Sequence, residues 1–192
     1  QGHGIAIYTN HGYEWKPRNP KPPQLPDATP VGVYQRDFEI PTNWDGRDIF
    51  LSIDGAKSGV YVYVNGKEVG YSEDSKLEAR FDITRYVKPG ENLIALEIFR
   101  WCDGTYLEDQ DMFRFSGIYR DVTLHVLPKR HIVLDGTYIT TRRNGADWAI
   151  TIETELTDND RTPAILRATL NKQEKELRDE HDRKLALGTD AI

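Results

Sequence analysis

Val60-Tyr-Val-Tyr-Val-Asn-Gly-Lys-Glu-Val69 decides the fold class. Asn65-Gly66 accommodates the positive φ angles of a two-residue hairpin turn, and it lies between β-branched and aromatic residues that suit a pleated, half-buried surface. The stretch predicts a β-hairpin. Upstream, Tyr34, Phe38 and Ile40 alternate with Gln35, Asp37 and Glu39, with Arg36 breaking the apolar side, and Asp48 to Ile53 follows the turn Asn43-Trp-Asp-Gly46. Downstream, Phe81 and Ile83 bracket a short segment, Lys88-Pro-Gly-Glu91 turns, and Asn92 to Arg100 and Val122 to Val126 alternate again. Many short strands with turn chemistry between them, and no amphipathic helix, predict an all-β sandwich or jelly roll.

Composition bounds the partners. The chain has 192 residues, a net charge of -6 and a single cysteine, Cys102. That length holds one large or two small domains with a sizeable core. The acidic balance, with a sequence pI near 5.4, argues against nucleic acid or an anionic membrane as partner. No apolar run reaches bilayer length, and Gln1 to Asn10 lacks the basic start and apolar core of a signal peptide. Gln1 is no natural initiator, so the chain is expected to be processed or cut from a longer one. One cysteine excludes an internal disulfide framework and leaves the compartment, cytoplasmic or periplasmic, unassigned. His3 and His11 read as surface residues, since no His/Cys/carboxylate group has the short spacing of a zinc site.

Between two of the strands lies Arg100 to Asp121, a long segment in which Trp101, Tyr106, Phe113, Phe115 and Tyr119 accompany Glu108, Asp109 and Asp111. A loop of this length with no structure of its own is usually functional or disordered, and so much aromatic surface argues for order. The carboxylates have three readings. They can be a solvated acidic turn, they can accept hydrogen bonds from sugar hydroxyls while aromatic walls take the ring, or they can hold a hard cation. Glu108 and Asp111 are also the one candidate pair for glycoside hydrolysis, which places two carboxyls across the scissile bond; their origin in a single loop argues against it. Arg100, Arg114 and Arg120 read as structural, with Arg114 or Arg120 forking onto a nearby Asp. Trp101 and Phe113 read as core before sugar platform.

Trp101-Cys-Asp-Gly-Thr-Tyr-Leu-Glu-Asp-Gln-Asp-Met-Phe-Arg-Phe-Ser-Gly-Ile-Tyr-Arg-Asp-Val122 closely resembles the corresponding stretch of the amino-terminal sugar-binding domain in the large β-galactosidases of glycoside hydrolase family 2. Val64-Asn-Gly-Lys-Glu-Val-Gly-Tyr-Ser-Glu-Asp-Ser-Lys-Leu-Glu-Ala-Arg-Phe-Asp82 and Ile7-Tyr-Thr-Asn10 resemble the same family in the same order. The resemblance implies a galactose-binding-domain-like jelly roll over residues 1–128. Beyond the joint Pro128-Lys-Arg130, it implies the start of an immunoglobulin-like sandwich over 129–192, truncated because such a domain needs about a hundred residues. Thr137 to Arg143, Trp148 to Leu156 and Ala164 to Asn171 are its candidate strands, with Ile150, Ile152 and Leu170 left short of a partner surface and exposed to strand exchange with another copy. The charged tail Gln173 to Lys184 stays open between helix, hairpin and disorder. Pro17 to Pro30 becomes a loop wrapping over the surface.

For the site, the resemblance implies that Asp111 and Asn10 reach the galactose subsite and that Asp111 also helps to hold a sodium ion, the other ligands lying outside this segment. Magnesium would be a further ion of the full enzyme. Phe113 stands where the family commonly has tryptophan, a change that keeps the packing volume approximately. The family's catalytic glutamates lie on a (β/α)8 barrel that follows, and no alternating strand and helix pattern appears before Ile192, so the segment is expected to carry no catalytic residue and to be inactive alone. Implied partners are a β-galactoside and, for the full-length parent, further copies of itself. A free-standing carbohydrate-binding module is the alternative. A β-glucuronidase or β-mannosidase relative is a third reading, the former disfavoured by the repulsion between Glu108-Asp-Gln-Asp111 and a uronate.

Overall fold

The computed structural model describes residues 19–108, 115–157 and 165–170. Two compact units divide the chain, residues 1–128 and residues 129–192. Among the described residues the elements are β-strands and two short 3-10 turns, so the chain is all-β.

In the first unit the strands are β1 (Val31–Ile40), β2 (Asp48–Ile53), β3 (Ala56–Lys57), β4 (Gly59–Val64), β5 (Lys67–Ser72), β6 (Ala79–Asp82), β7 (Gly90–Phe99), β8 (Gly117–Ile118) and β9 (Val122–Leu127). A four-stranded sheet runs β1-β7-β4-β5, a three-stranded one β6-β2-β9, and β3 pairs with β8 in a short bridge. Every pairing is antiparallel. The two larger sheets form a sandwich: Ile49, Leu51 and Ile53 of β2 share one buried cluster with Val60, Val62 and Val64 of β4 and with Leu96 and Ile98 of β7. Period-two alternation produces this, because residues two apart share a face.

The hairpin at Asn65-Gly66 forms as predicted, with φ of 51° and 76°. Its register slips by one between Val62 and Tyr63, so Val69 is the extra residue of a bulge and still packs on the core. Arg36, predicted to interrupt the apolar side of β1, shares the register of Tyr34 and Phe38 yet is exposed. As the edge strand, β1 lets a long side chain lead its charge to water.

Among its described residues the second unit contains one hairpin, β10 (Ile132–Asn144) and β11 (Asp147–Leu156), turned at Gly145 with φ 64°. Ile139, Ile150, Ile152 and Trp148 share one face by register, and Ile139, Ile152 and Trp148 are exposed. The strand expected at Ala164 to Asn171 does not form over residues 165–170, which are exposed and pair with no described strand; apolar residues alone make no ladder. The tail from Gln173, and the residues Asn10, His3 and His11, lie outside the described residues.

Candidate functional site

The segment between β7 and β9, expected to be a long ordered loop, holds two short elements among its described residues. Asp103–Leu107 is a 3-10 turn and Gly117–Ile118 is a strand. The turn begins at buried Cys102, whose N–H donates to Thr105 Oγ1 at 2.9 Å. Ser58 Oγ lies 2.9 Å from Cys102 Sγ and 3.0 Å from Thr105 Oγ1. Three small polar side chains thus satisfy each other in the interior, as buried polar groups must. Tyr106 ties the turn to the amino-terminal proline-rich segment, its hydroxyl donating to the Gln24 carbonyl at 2.6 Å, which agrees with a segment wrapping over the surface.

Glu108 closes the outgoing leg. The Ser75 N–H donates to one of its carboxylate oxygens at 3.2 Å and the Ser75 hydroxyl to the other at 2.7 Å. Ser75 is fully buried. Both oxygens are therefore committed to the segment between β5 and β6, and Glu108 is a structural tie. The pairing of Glu108 with Asp111 across a glycosidic bond, disfavoured from the sequence, would need a carboxylate free of such ties. Glu108→Ala would strand a buried donor pair, with an expected cost of about 1–3 kcal/mol. Urea unfolding of the variant beside Ser75→Ala checks it; because the two share one interaction, the double variant should lose less than the sum.

The return leg is fixed on the same neighbours. Tyr119 donates its hydroxyl to the Ser75 carbonyl, and its N–H donates to the Gly55 carbonyl at 3.2 Å. Arg120 Nη1 donates to the carbonyls of Asp54 and Lys76 at 3.2 and 3.0 Å, so it clamps backbone; Arg114, the other candidate for a fork onto an aspartate, lies outside the described residues. Lys76 Nζ sits 5.2 Å from the Phe115 ring centre and 5.0 Å from that of Tyr119, within cation–π range. Burial, and then the neighbouring Lys57 cation, hold the Lys76 ammonium below the usual lysine range. Burial likewise raises the Tyr119 phenol.

Lys57 and Ser75 were not singled out from the sequence. Lys57 is only 4% exposed and lies on β3 opposite Gly117 of β8. Two-residue strands have no periodicity to detect, and a lysine among Ala56, Ser58 and Gly59 carries no pattern of its own. Trp101 is half-buried, with the Arg100 guanidinium 5.2 Å from its ring. Asp109, Asp111, Phe113 and Arg114 lie outside the described residues, as does Asn10, so the structure brings the ends of the site together around Ser75 and leaves its predicted sugar-facing carboxylates unplaced.

Among the described residues, one group of three side chains has metal-ligand spacing: Glu73, Cys102 and Asp103, with ligand atoms within 4.8 Å of one another. It does not fit sodium or magnesium, which take oxygen ligands, because the third member is a buried thiol held by Ser58. Within the group, the hydrogen bond with Asp103 pushes the Glu73 carboxyl up, against a smaller opposite effect of Tyr71.

Three comparisons bear on this arrangement. A family model described as "Glycosyl hydrolases family 2, sugar binding domain" matches residues 1–128. A β-galactosidase of Priestia megaterium (strain DSM 319 / IMG 1521) is 46% identical over 134 residues, which are 69% of this chain and 13% of the relative. One of Yersinia pestis bv. Antiqua (strain Angola) is 47% identical over 133 residues, 68% of this chain and 12% of the relative. The chain thus spans a small part of the curated relatives' length. Among solved structures, a β-glucuronidase of Bacteroides uniformis aligns with a TM-score of 0.62 at 28% identity, over 67% of this chain and 16% of that one. A putative β-galactosidase of Bacteroides fragilis aligns at 0.60 and 24% identity, over 67% and 20%, a likeness of fold.

Proposed function

Because the chain belongs to the sugar-binding-domain family of the family 2 glycosyl hydrolases, we propose that it is the amino-terminal domain of a retaining β-galactosidase and shapes the rim of that enzyme's sugar site. The observation that carries this reading is the doubly tied loop. Glu108 at one end and Tyr119 with Arg120 at the other all converge on the segment around Ser75, inside residues 1–128, which the family model matches. Ties at both ends fix where the chain leaves and re-enters the body of the unit, which lowers the ordering entropy that binding must overcome.

The ten residues between these ties include Asp109 and Asp111. Asp111 is assigned to accept a hydrogen bond from a galactose hydroxyl, and Asn10, with both a donor and an acceptor, to serve a neighbouring one. Sodium, where present, would neutralise charge beside the sugar, and Asp111 supplies one hard oxygen donor toward it. The bond-breaking carboxyls belong to the parent beyond this chain, and residues 129–192 are assigned to the opening strands of an immunoglobulin-like sandwich.

The test uses the full-length parent with paired p-nitrophenyl β-galactoside and β-glucuronide substrates. Preference for the galactoside is expected, and Asp111→Ala should lower its kcat/KM by about tenfold or more, with weakened dependence on sodium, as loss of a charged hydrogen bond of ~1.5–3 kcal/mol requires. Unchanged hydrolysis by Asp111→Ala would remove the residue from the site, and preference for the glucuronide would overturn the substrate. A parent without glycosidase activity would leave the binding-module reading in its place.

A further inference from the structure

The outward face of the sheet β1-β7-β4-β5 is built unlike a solvent face. An antiparallel sheet packed on one side usually shows polar residues on the other. Here one row across all four strands reads Val33, Glu97, Tyr61, Tyr71 by direct cross-strand partnership. Beside it, Phe99 stands edge-on to Tyr61, with ring centres 5.8 Å apart at 70°. Tyr61 and Tyr71 lie 4.6 Å apart and are tilted by 41°.

Tyr71 lies down on the sheet instead of standing from it. Its ring crosses Gly59, where an added Cβ would come within 2.8 Å of the Tyr71 hydroxyl, so the absence of a side chain at Gly59 is what lets the ring lie there. Tyr71 nevertheless remains 42% exposed. The polar edges of the platform are already turned to carboxylates: the Tyr71 hydroxyl donates to Glu73 at 3.0 Å and the Tyr63 hydroxyl to Glu97 at 3.5 Å. No lysine or arginine occupies an outward-register position on these four strands.

We propose that this face is a second carbohydrate-binding surface, on which a neutral oligosaccharide lies across the row, stacking on Tyr71 and Tyr61 and donating hydroxyl hydrogens to Glu97 and Glu73. Rings presented by their faces take the C–H side of a pyranose, and carboxylates with no cation among them take hydroxyl donors while repelling phosphate, uronate and nucleic acid. The row crosses four strands, so its occupant is longer than one sugar, and it shares no residue with the ties around Ser75.

The experiment is calorimetric titration of the 192-residue chain with β-1,4-linked galactotetraose and with galactose. The tetraose should bind saturably, and Tyr71→Ala should weaken it about tenfold, the size of one lost stacking contact. Tyr71→Phe, which keeps the ring face and guards against a folding artefact, should retain binding within about threefold, because it loses only the edge hydroxyl. Absence of tetraose binding by the unmodified chain would overturn the proposal. So would loss of binding in Asp111→Ala with retention in Tyr71→Ala, which would assign the sugar to the loop. Self-association abolished by Tyr71→Ala, without sugar binding, would overturn it in favour of a second copy. None of these results bears on galactoside hydrolysis by the parent.

Discussion

Leu51→Ala is expected to destabilise the first unit by roughly 2–5 kcal/mol, the range for emptying a leucine site in a packed core. Leu51 is 1% exposed at the middle of β2. Phe81 of β6 and Leu124 of β9 flank it as direct cross-strand partners, and the β4 and β7 side chains cover it from the facing sheet. Hydrogen-bonded neighbours on both sides hold β2 in place, so collapse into the cavity is restricted and the cost should fall in the upper half of that range. With a urea slope of roughly 1–3 kcal/mol/M, the midpoint should drop by about 1–2 M or more. Ile139→Ala is the matched control. Ile139 also sits in an alternating strand but is 60% exposed on β10, and its removal should change stability by no more than about 0.5 kcal/mol. Equal effects at the two positions would mean that the core is not where the two sheets place it.

That contrast marks what can and cannot be read from sequence. Alternation places Leu51 and Ile139 alike on strands, because periodicity reports which residues share a face. It does not report whether a second sheet covers that face, and only the three-dimensional pairing separates the buried β2 from the exposed β10. The hairpin at Asn65-Gly66 was legible because its backbone demand is local. The ties around Ser75 were not, because they join residues more than thirty positions apart through one hydroxyl and two backbone groups, types that occur everywhere. Glu108 illustrates the ambiguity in the site itself. A carboxylate beside aromatics has the same letter whether it faces a sugar or receives a serine, and its role follows from which donors the fold delivers. The family resemblance extended the reading to Asn10, and to Asp111, which composition and spacing alone left among three alternatives.

Gly117→Ala is expected to cost roughly 2–5 kcal/mol from two separable causes. Gly117 adopts φ 91°, in the region where an L side chain is strained by about 1–2 kcal/mol. Its β-carbon would also collide with the Tyr34 hydroxyl, and relieving such overpacking takes about 1–3 kcal/mol more. After that hydroxyl, the next Tyr34 atom in the way is Cζ at 3.5 Å, an ordinary contact. Tyr34→Phe should therefore relieve the collision and leave the backbone strain. In a double-mutant cycle, Gly117→Ala/Tyr34→Phe should be more stable than Gly117→Ala alone and still about 1–2 kcal/mol below Tyr34→Phe. The position matters for the site because Gly117 pairs with Lys57 at the foot of the return leg, two residues before Tyr119. A shift there displaces one tie of the loop while Glu108 holds the other. In the proposed parent, the single variant should thus lose galactoside kcat/KM at temperatures where it remains folded, and Tyr34→Phe should restore part of that activity along with the stability. Restored stability without restored activity would show that the backbone conformation at Gly117, rather than its packing against Tyr34, sets the course of the loop toward Asp111.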